Sequence, residues 1–439
     1  MRNLNFIYFF SLQIFVYIIG IYLSRNTTTK FKPGFYFILL LYFIYNIFVP
    51  FIDFNLSINS FFGFQFTNEQ ILLPQQGLVY SIGILSFFLG YFCFKTSKNP
   101  GSISNLKSDI HSKLPDYMAA IQVFIWLLVL INFQISGISV GNLFDLTNQN
   151  ESDLLFSAQW KYPLVDLISN CIPVCLFIQY KFSKKINWKW VVLFSFWLFI
   201  SLLSGWRYRI ILFFLFFVID FLVQNKWSFF KIFVGVLFLS IALSWLTLNR
   251  MAIAKRQFHL ITFDLSLFDI RIFTTEFSNS RTFKATCIYL NNHPDIEALG
   301  PESWIKFIEN KLKPKTEFQN LQRPKPWILE VTKAWIPPGW PWNPNPAVSQ
   351  MEEFFLTFGW IGLVIGMFVV GIWVGFLDLA VNDPIFQNFK IVGIALLFQW
   401  TTRGFFLYQL QITLICFLPF LLLWLAKPYL NHVAKRNTA

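Results

Sequence analysis

Apolar runs of about 18 residues or more recur along almost the whole chain, and no other feature limits its fold as strongly. They fall near residues 5–23, 33–51, 75–94, 116–134, 162–180, 189–204, 209–224, 230–249, 354–377, 388–402 and 408–426. A helix satisfies its own backbone, so such a run can cross a bilayer without leaving amides unpaired. A transmembrane barrel would need short alternating strands, whereas these runs are continuous. Charged residues make up 13% of the 439 positions, against about 25% in a soluble protein. The expected fold class is therefore an all-α polytopic membrane protein with about 11 transmembrane helices, in the range 10–12. The Met1–Leu23 run has a long apolar core and no small-residue cleavage motif after it, so it reads as the first span.

Three regions follow. Residues 1–249 form an N-terminal bundle of about eight spans, residues 250–353 a long polar loop, and residues 354–439 about three spans with a short tail. Lys and Arg placement orients them. One set of short loops holds Arg25, Lys30, Lys32, Lys95, Lys98, Lys107, Lys113, Lys181, Lys184, Lys185, Lys189, Lys226, Lys231, Lys390, Lys427, Lys435 and Arg436. The opposite short segments hold only Arg2, Lys161, Arg207, Arg209 and Arg403. The first set is thus cytoplasmic, with the long loop outside. The outer segments 52–70 and 135–160 carry the acids Asp53, Glu69, Asp145, Glu151 and Asp153, which agrees. This bias also accounts for most of the net charge of +13, so no nucleic-acid partner is expected.

Three arginines break the bias. Arg207 and Arg209 lie in the short break Ser204-Gly-Trp-Arg-Tyr-Arg209 between two apolar runs, and Arg403 lies at the outer end of the tenth. Arginine at a membrane face is costly and marks functional sites. Snorkelling to headgroups is the structural alternative. With Arg271 and Arg281 of the long loop, these side chains make an outward set. Guanidinium binds phosphate oxygens bidentately and never loses its charge, so it can clamp a diphosphate where a metal otherwise would. The four histidines are dispersed, no Asp/Glu cluster compensates, and there is no P-loop or dinucleotide fingerprint, so neither metal nor cofactor is expected. The five cysteines have no metal-ligand spacing and read as small buried hydrophobes.

The long loop is expected to be helical over 265–291, with a short amphipathic helix over 301–310. Its end, Trp335-Ile-Pro-Pro-Gly-Trp-Pro-Trp-Asn-Pro-Asn-Pro346, is too proline-rich for helix or ladder pairing. It is expected to be extended and to display Trp335, Trp340 and Trp342, either as sugar-stacking platforms or as an interfacial belt. Glu352 and Glu353 stand where the chain then re-enters the membrane. A carboxylate there could be a general base, an arginine's partner, or a helix N-terminal charge favoured by the macrodipole.

The stretch Leu202-Leu-Ser-Gly-Trp-Arg-Tyr-Arg-Ile-Ile-Leu212 resembles the Gly-x-Arg turn of Wzy-type O-antigen and oligosaccharide repeat-unit polymerases. Glu353-Phe-Phe-Leu-Thr-Phe-Gly-Trp-Ile-Gly362 resembles their Glu-Phe-[Tyr/Phe]-x-[Asn/Thr]-Phe-Gly-x-x-Gly segment. Between them come Ser280-Arg281-Thr282, then Gly300-Pro-Glu-Ser-Trp304, then the Trp/Pro stretch, in the family's order. The likeness covers about 190–375 by motif and the first 180 residues by hydropathy alone. Thr357 stands where members often have Asn, and Lys311–Pro326 is extra. The resemblance implies a glycosyltransferase-C-like bundle at the periplasmic face of a bacterial inner membrane. It would transfer a growing glycan from undecaprenyl diphosphate to a hydroxyl of the next lipid-linked oligosaccharide, without metal. Arg207, Arg281 and Glu353 take the catalytic positions by that likeness. Arg209, Arg271 and Arg403, with Trp340 and Trp342, are added as substrate-binding residues from charge and aromatic placement. The expected partners are the lipid-linked oligosaccharide, the bilayer and a chain-length regulator protein. A ligase acting on another acceptor and a non-enzymatic flippase remain as alternatives.

Overall fold

In the computed structural model, the chain is described over residues 2–25, 32–61, 63–67, 70–94, 108–136, 162–183, 187–203, 207–224, 279–294, 348–379, 383–402 and 406–436. Positions 305, 309, 331 and 334–336 are also described. The elements over these residues are numbered in chain order. They are α1 (Arg2–Arg25), α2 (Pro33–Phe43), a π-turn (Ile44–Phe48), α3 (Val49–Asn55), β1 (Ser60–Phe61), β2 (Phe64–Gln65), α4 (Pro74–Phe94) and α5 (Ser108–Ile135). There follow α6 (Pro163–Ser169), α7 (Cys171–Phe182), α8 (Trp188–Leu203), α9 (Arg207–Gln224), α10 (Asn279–Asn292), α11 (Gln350–Leu377), α12 (Pro384–Thr402) and α13 (Phe406–Arg436).

Among the described residues, six stretches are long and apolar enough to cross a membrane: Phe6–Ser24, Pro33–Asn55, Pro74–Phe94, Leu114–Ile135, Leu164–Phe182 and Gln350–Leu377. The protein is an all-α, multi-pass membrane protein. The bounds match the apolar runs because hydropathy and helix length answer to one constraint, the closed backbone. The expected 230–249 span lies outside the described residues.

Side-chain bonds fix an up-and-down order. At one end, Asp378, just beyond α11, accepts the Gly34 and Phe35 amides at 2.8 and 2.9 Å and the Tyr91 hydroxyl at 3.1 Å. It so fills the helix-start amides of α2, which no side chain of α2 itself caps. Lys181 pairs with Asp220 and Lys189 with Asp116, each at 2.9 Å. Lys32, Lys181 and Lys189 belong to the loops assigned to the cytoplasm. At the other end lie the start of α4, the end of α3, α10, the end of α12 and the start of α13.

Among the described residues, α4 and α11 come close backbone to backbone, and glycine explains it. An added Cβ on Gly371 would fall 2.1 Å from the Phe87 carbonyl oxygen, and one on Gly90 would fall 1.9 Å from that of Phe368. Such close backbones are what small residues permit between membrane helices.

The expected single span over 354–377 is not straight. Gly359 has φ 65° and ψ −154°, a conformation essentially confined to glycine. The chain folds back there. A Cβ on Gly362 would lie 2.9 Å from the Phe354 carbonyl oxygen, and one on Gly366 would lie 2.3 Å from the Phe354 ring. α11 is thus a hairpin of a nine-residue limb, Gln350–Phe358, and a long limb, Trp360–Leu377. The short limb begins beside Gly83, where an added Cβ would meet Met351 Sδ at 2.6 Å. Gly83 lies nine residues into α4, about 13 Å along its axis.

Candidate functional site

The polar end of the bundle is assembled from α3, α4, α10, the α11 short limb, the end of α12 and the start of α13. α10 contributes one charged face. Arg281 Nε donates to Asp53 Oδ1 and Oδ2 at 3.1 and 3.0 Å, and its NH2 group donates to Asp53 Oδ1 at 2.6 Å. Both residues are buried. Asp53, expected in a solvent-facing outer loop, instead closes the last turns of α3. An arginine buried at this depth requires a carboxylate partner, because the uncompensated charge would cost ~3–5 kcal/mol.

One turn on, Lys284 Nζ donates to the Ile71 carbonyl at 2.8 Å and lies 4.4 Å from the centre of the Phe66 ring. Burial pushes its ammonium down to about 8, the neighbouring Asp53 carboxylate opposing and Arg281 assisting. The Arg281 guanidinium also stands 6.0 Å from the Phe61 ring. Asp53, Phe61, Phe66 and Ile71 are thereby tied to α10. Trp335 closes the same apolar patch. Its indole donates to Thr286 Oγ1 at 3.2 Å, and its ring packs on Phe61 and Phe64. The expectation that Trp335 is displayed is therefore wrong: an indole with an apolar wall and a hydroxyl partner is more stable buried.

A chain of hydrogen bonds ties α10 to the α11 hairpin. Gln76 Nε2 donates to the Ser280 carbonyl at 2.9 Å and to the Tyr80 hydroxyl at 2.8 Å. Tyr80 in turn donates to Glu352 Oε1 at 2.6 Å. Glu352 Oε2 accepts the Ser349 amide at 2.7 Å, and the Glu352 amide faces Ser349 Oγ at 3.5 Å, a reciprocal capping box. Ser-x-x-Glu is visible in the sequence at 349–352 and accounts for where the short limb starts. Glu353 points elsewhere, accepting the Phe406 amide at the start of α13. Asn279 Nδ2 donates to the Thr401 carbonyl at 2.7 Å. The end of α12 is thus bonded to α10, and the start of α13 to Glu353.

Arg209 is anchored apart from this chain. It heads the first turns of α9 rather than an interhelical loop. It donates to Ser169 Oγ at 2.6 Å, to Asp166 Oδ1 at 2.5 Å and to the Asp166 carbonyl at 3.1 Å. Those groups sit where the expected 162–180 span breaks between α6 and α7 at Asn170. Arg209 therefore joins Ser169 and Asn170 in satisfying the Asp166 carbonyl at the break.

Arg207 is the first residue of α9, and its side chain lies outside the described residues. Arg271, Arg403, Trp340 and Trp342 lie outside them altogether. Arg281 and Glu353 are on elements linked through α4, and the Arg281 bonds above go to Asp53. Asp53, Gln76 and Tyr80 join them without any motif of their own. Their only sequence signal was polarity inside or beside an apolar run. Cys171, Cys175, Cys287 and Cys416 are buried free thiols, as expected, and Cys93 is exposed.

No family model matches the chain, and no curated protein or solved structure gives a significant match.

Proposed function

We propose that the protein is a repeat-unit polymerase of lipid-linked oligosaccharides, working at the outer face of a bacterial inner membrane. It would move the growing glycan from undecaprenyl diphosphate to a hydroxyl of the next lipid-linked unit. The supporting observation is that two separated motif pieces, the Arg281 helix and the Glu352–Glu353 helix start, are linked by hydrogen bonds through α4, and that the end of α12 and the start of α13 are bonded to them. In this reading the acceptor hydroxyl forms the new bond to the donor's anomeric carbon. The bond from that carbon to the diphosphate breaks, and the diphosphate departs with the electron pair. Arg207, Arg281 and Arg403 stabilise its growing charge, as fixed cations in a partly dry site do most effectively. Glu353 organises the start of α13 beside Arg403, or takes the acceptor's proton. Trp340 and Trp342 guide the glycan, Arg209 and Arg271 complete the cationic surroundings, and a chain-length regulator acts as partner. The fold in this reading is a glycosyltransferase-C-like bundle of about 11 spans.

The test is extension of purified lipid-linked oligosaccharide by the purified protein, read on a gel. Products longer than one repeat support polymerisation. Transfer to a different acceptor without lengthening selects the ligase reading, and no covalent change selects a flippase. Arg207→Ala is expected to abolish lengthening while the protein still inserts. Arg207→Lys should fail nearly as badly, because an ammonium cannot bind two phosphate oxygens as a fork.

A further inference from the structure

We propose a second polar site, for water, buried within the membrane-spanning part between α1, the π-turn and the start of the α11 hairpin. It rests on none of the residues assigned to glycan transfer. α1 and the α2–α3 run are antiparallel, and their register is set by aromatic pairs at two levels. Phe6 meets Phe54 at 4.6 Å and Phe10 meets Phe51 at 5.9 Å, while further along Tyr17 meets Phe43 at 5.9 Å. Gln13 lies midway between Phe10 and Tyr17. The register therefore brings it level with Asn46–Ile47, midway between Phe43 and Phe51. The chain forms its π-turn there, a feature that in helices frequently marks functional sites.

Four polar atoms collect in this region without a protein partner among the described residues. They are Gln13 Oε1, Tyr17 Oη, Asn46 Nδ2 and Gln350 Oε1. Gln13, Asn46 and Gln350 are at most 1% exposed, and Tyr17 is 6% exposed. Tyr42 connects them: it lies within electrostatic reach of Tyr17, sits one turn before Asn46, and accepts a hydrogen bond from Gln350 Nε2. Acceptors (Gln13, Gln350), a donor (Asn46) and a hydroxyl (Tyr17) are the complement that water molecules satisfy, each through two to four bonds. Left dry in an apolar interior, each atom would keep its full desolvation penalty. Hydrocarbon offers no alternative partner. Gln350 begins the turn that carries Glu352, so the site lies beside the capping box.

Single cysteines test this in a Cys93→Ser background, with a small cationic methanethiosulfonate as probe. The thiolate attacks the reagent's sulfur and displaces methanesulfinate, and it forms only where water reaches. Gln13→Cys and Asn46→Cys are expected to react about fivefold or more faster than Ile14→Cys and Phe15→Cys, which are exposed on the apolar face of α1. Rates below that ratio overturn the site. The double variant Gln13→Leu with Asn46→Leu adds a second reading in the uncleaved, detergent-purified chain. A lower Tm supports bound water, because its partners are lost. An unchanged or raised Tm means that the atoms were dry, and overturns the proposal.

Discussion

Removing the Asp53 carboxylate and removing the Arg281 guanidinium have consequences that separate structure from chemistry. Asp53→Asn leaves a buried cation without its counter-charge and should destabilise the protein by about 3–5 kcal/mol. The pair Asp53→Leu with Arg281→Met removes both charges and should leave Tm within a few degrees of the parent. If Arg281 acts only on Asp53, that double variant keeps its glycan-lengthening activity; if it also acts on a diphosphate, activity is lost in a well-folded protein. A melting curve and a gel assay on the same preparation decide. Lys284 gives a pH signature. Its folded-state value, about 8, lies below the ordinary lysine value of 10.5. The unfolded chain therefore binds the proton more tightly between these values. Stability should rise with pH from about 8 to 10.5 and be flat below. Lys284→Met should remove that rise in a Tm-against-pH series.

At the scale of elements, the hairpin of α11 supplies the clearest contrast between glycines. Gly359→Ala meets no neighbouring atom but forces a side chain into a glycine conformation, at about 1–3 kcal/mol. Gly371→Ala drives a methyl into the backbone of α4 and should cost more, with the α4–α11 spacing widened in cross-linking. Ser349→Ala, which removes half of the capping box, should lower stability by ~1 kcal/mol. Denaturation in mixed micelles ranks the three. The apolar runs made the membrane helices readable, because burial and backbone closure act within each segment, whereas α10 lies in the polar loop and answers to no such run. The fold-back at Gly359 was hidden, since Phe358-Gly359-Trp360 keeps the hydropathy of a continuous span. Arg281 and the Ser349–Glu352 box stood out as charge and spacing. Asp53 did not, because an acid at the end of an apolar run reads as a loop residue until its distant partner is known.

For the molecule as a whole, two ends with different chemistry emerge from one alternating set of helices. Cysteines placed at Asn55 and His293 should share accessibility to an impermeant reagent from one side of the membrane. Cysteines placed at Asn187 and Asp116 should be reached from the other side. Labelling of all four from one side would remove the up-and-down order. The contact of Asp378 with Gly34 and Phe35 spans 344 and 343 residues of sequence. A ribosome adding about 5–20 residues per second needs tens of seconds to bridge that interval. Until then the opening amides of α2 depend on water at the bilayer edge. The final seating of an early helix thus waits on a carboxylate translated near the end, and chains truncated before residue 378 should be recognised as unfinished by quality-control proteases.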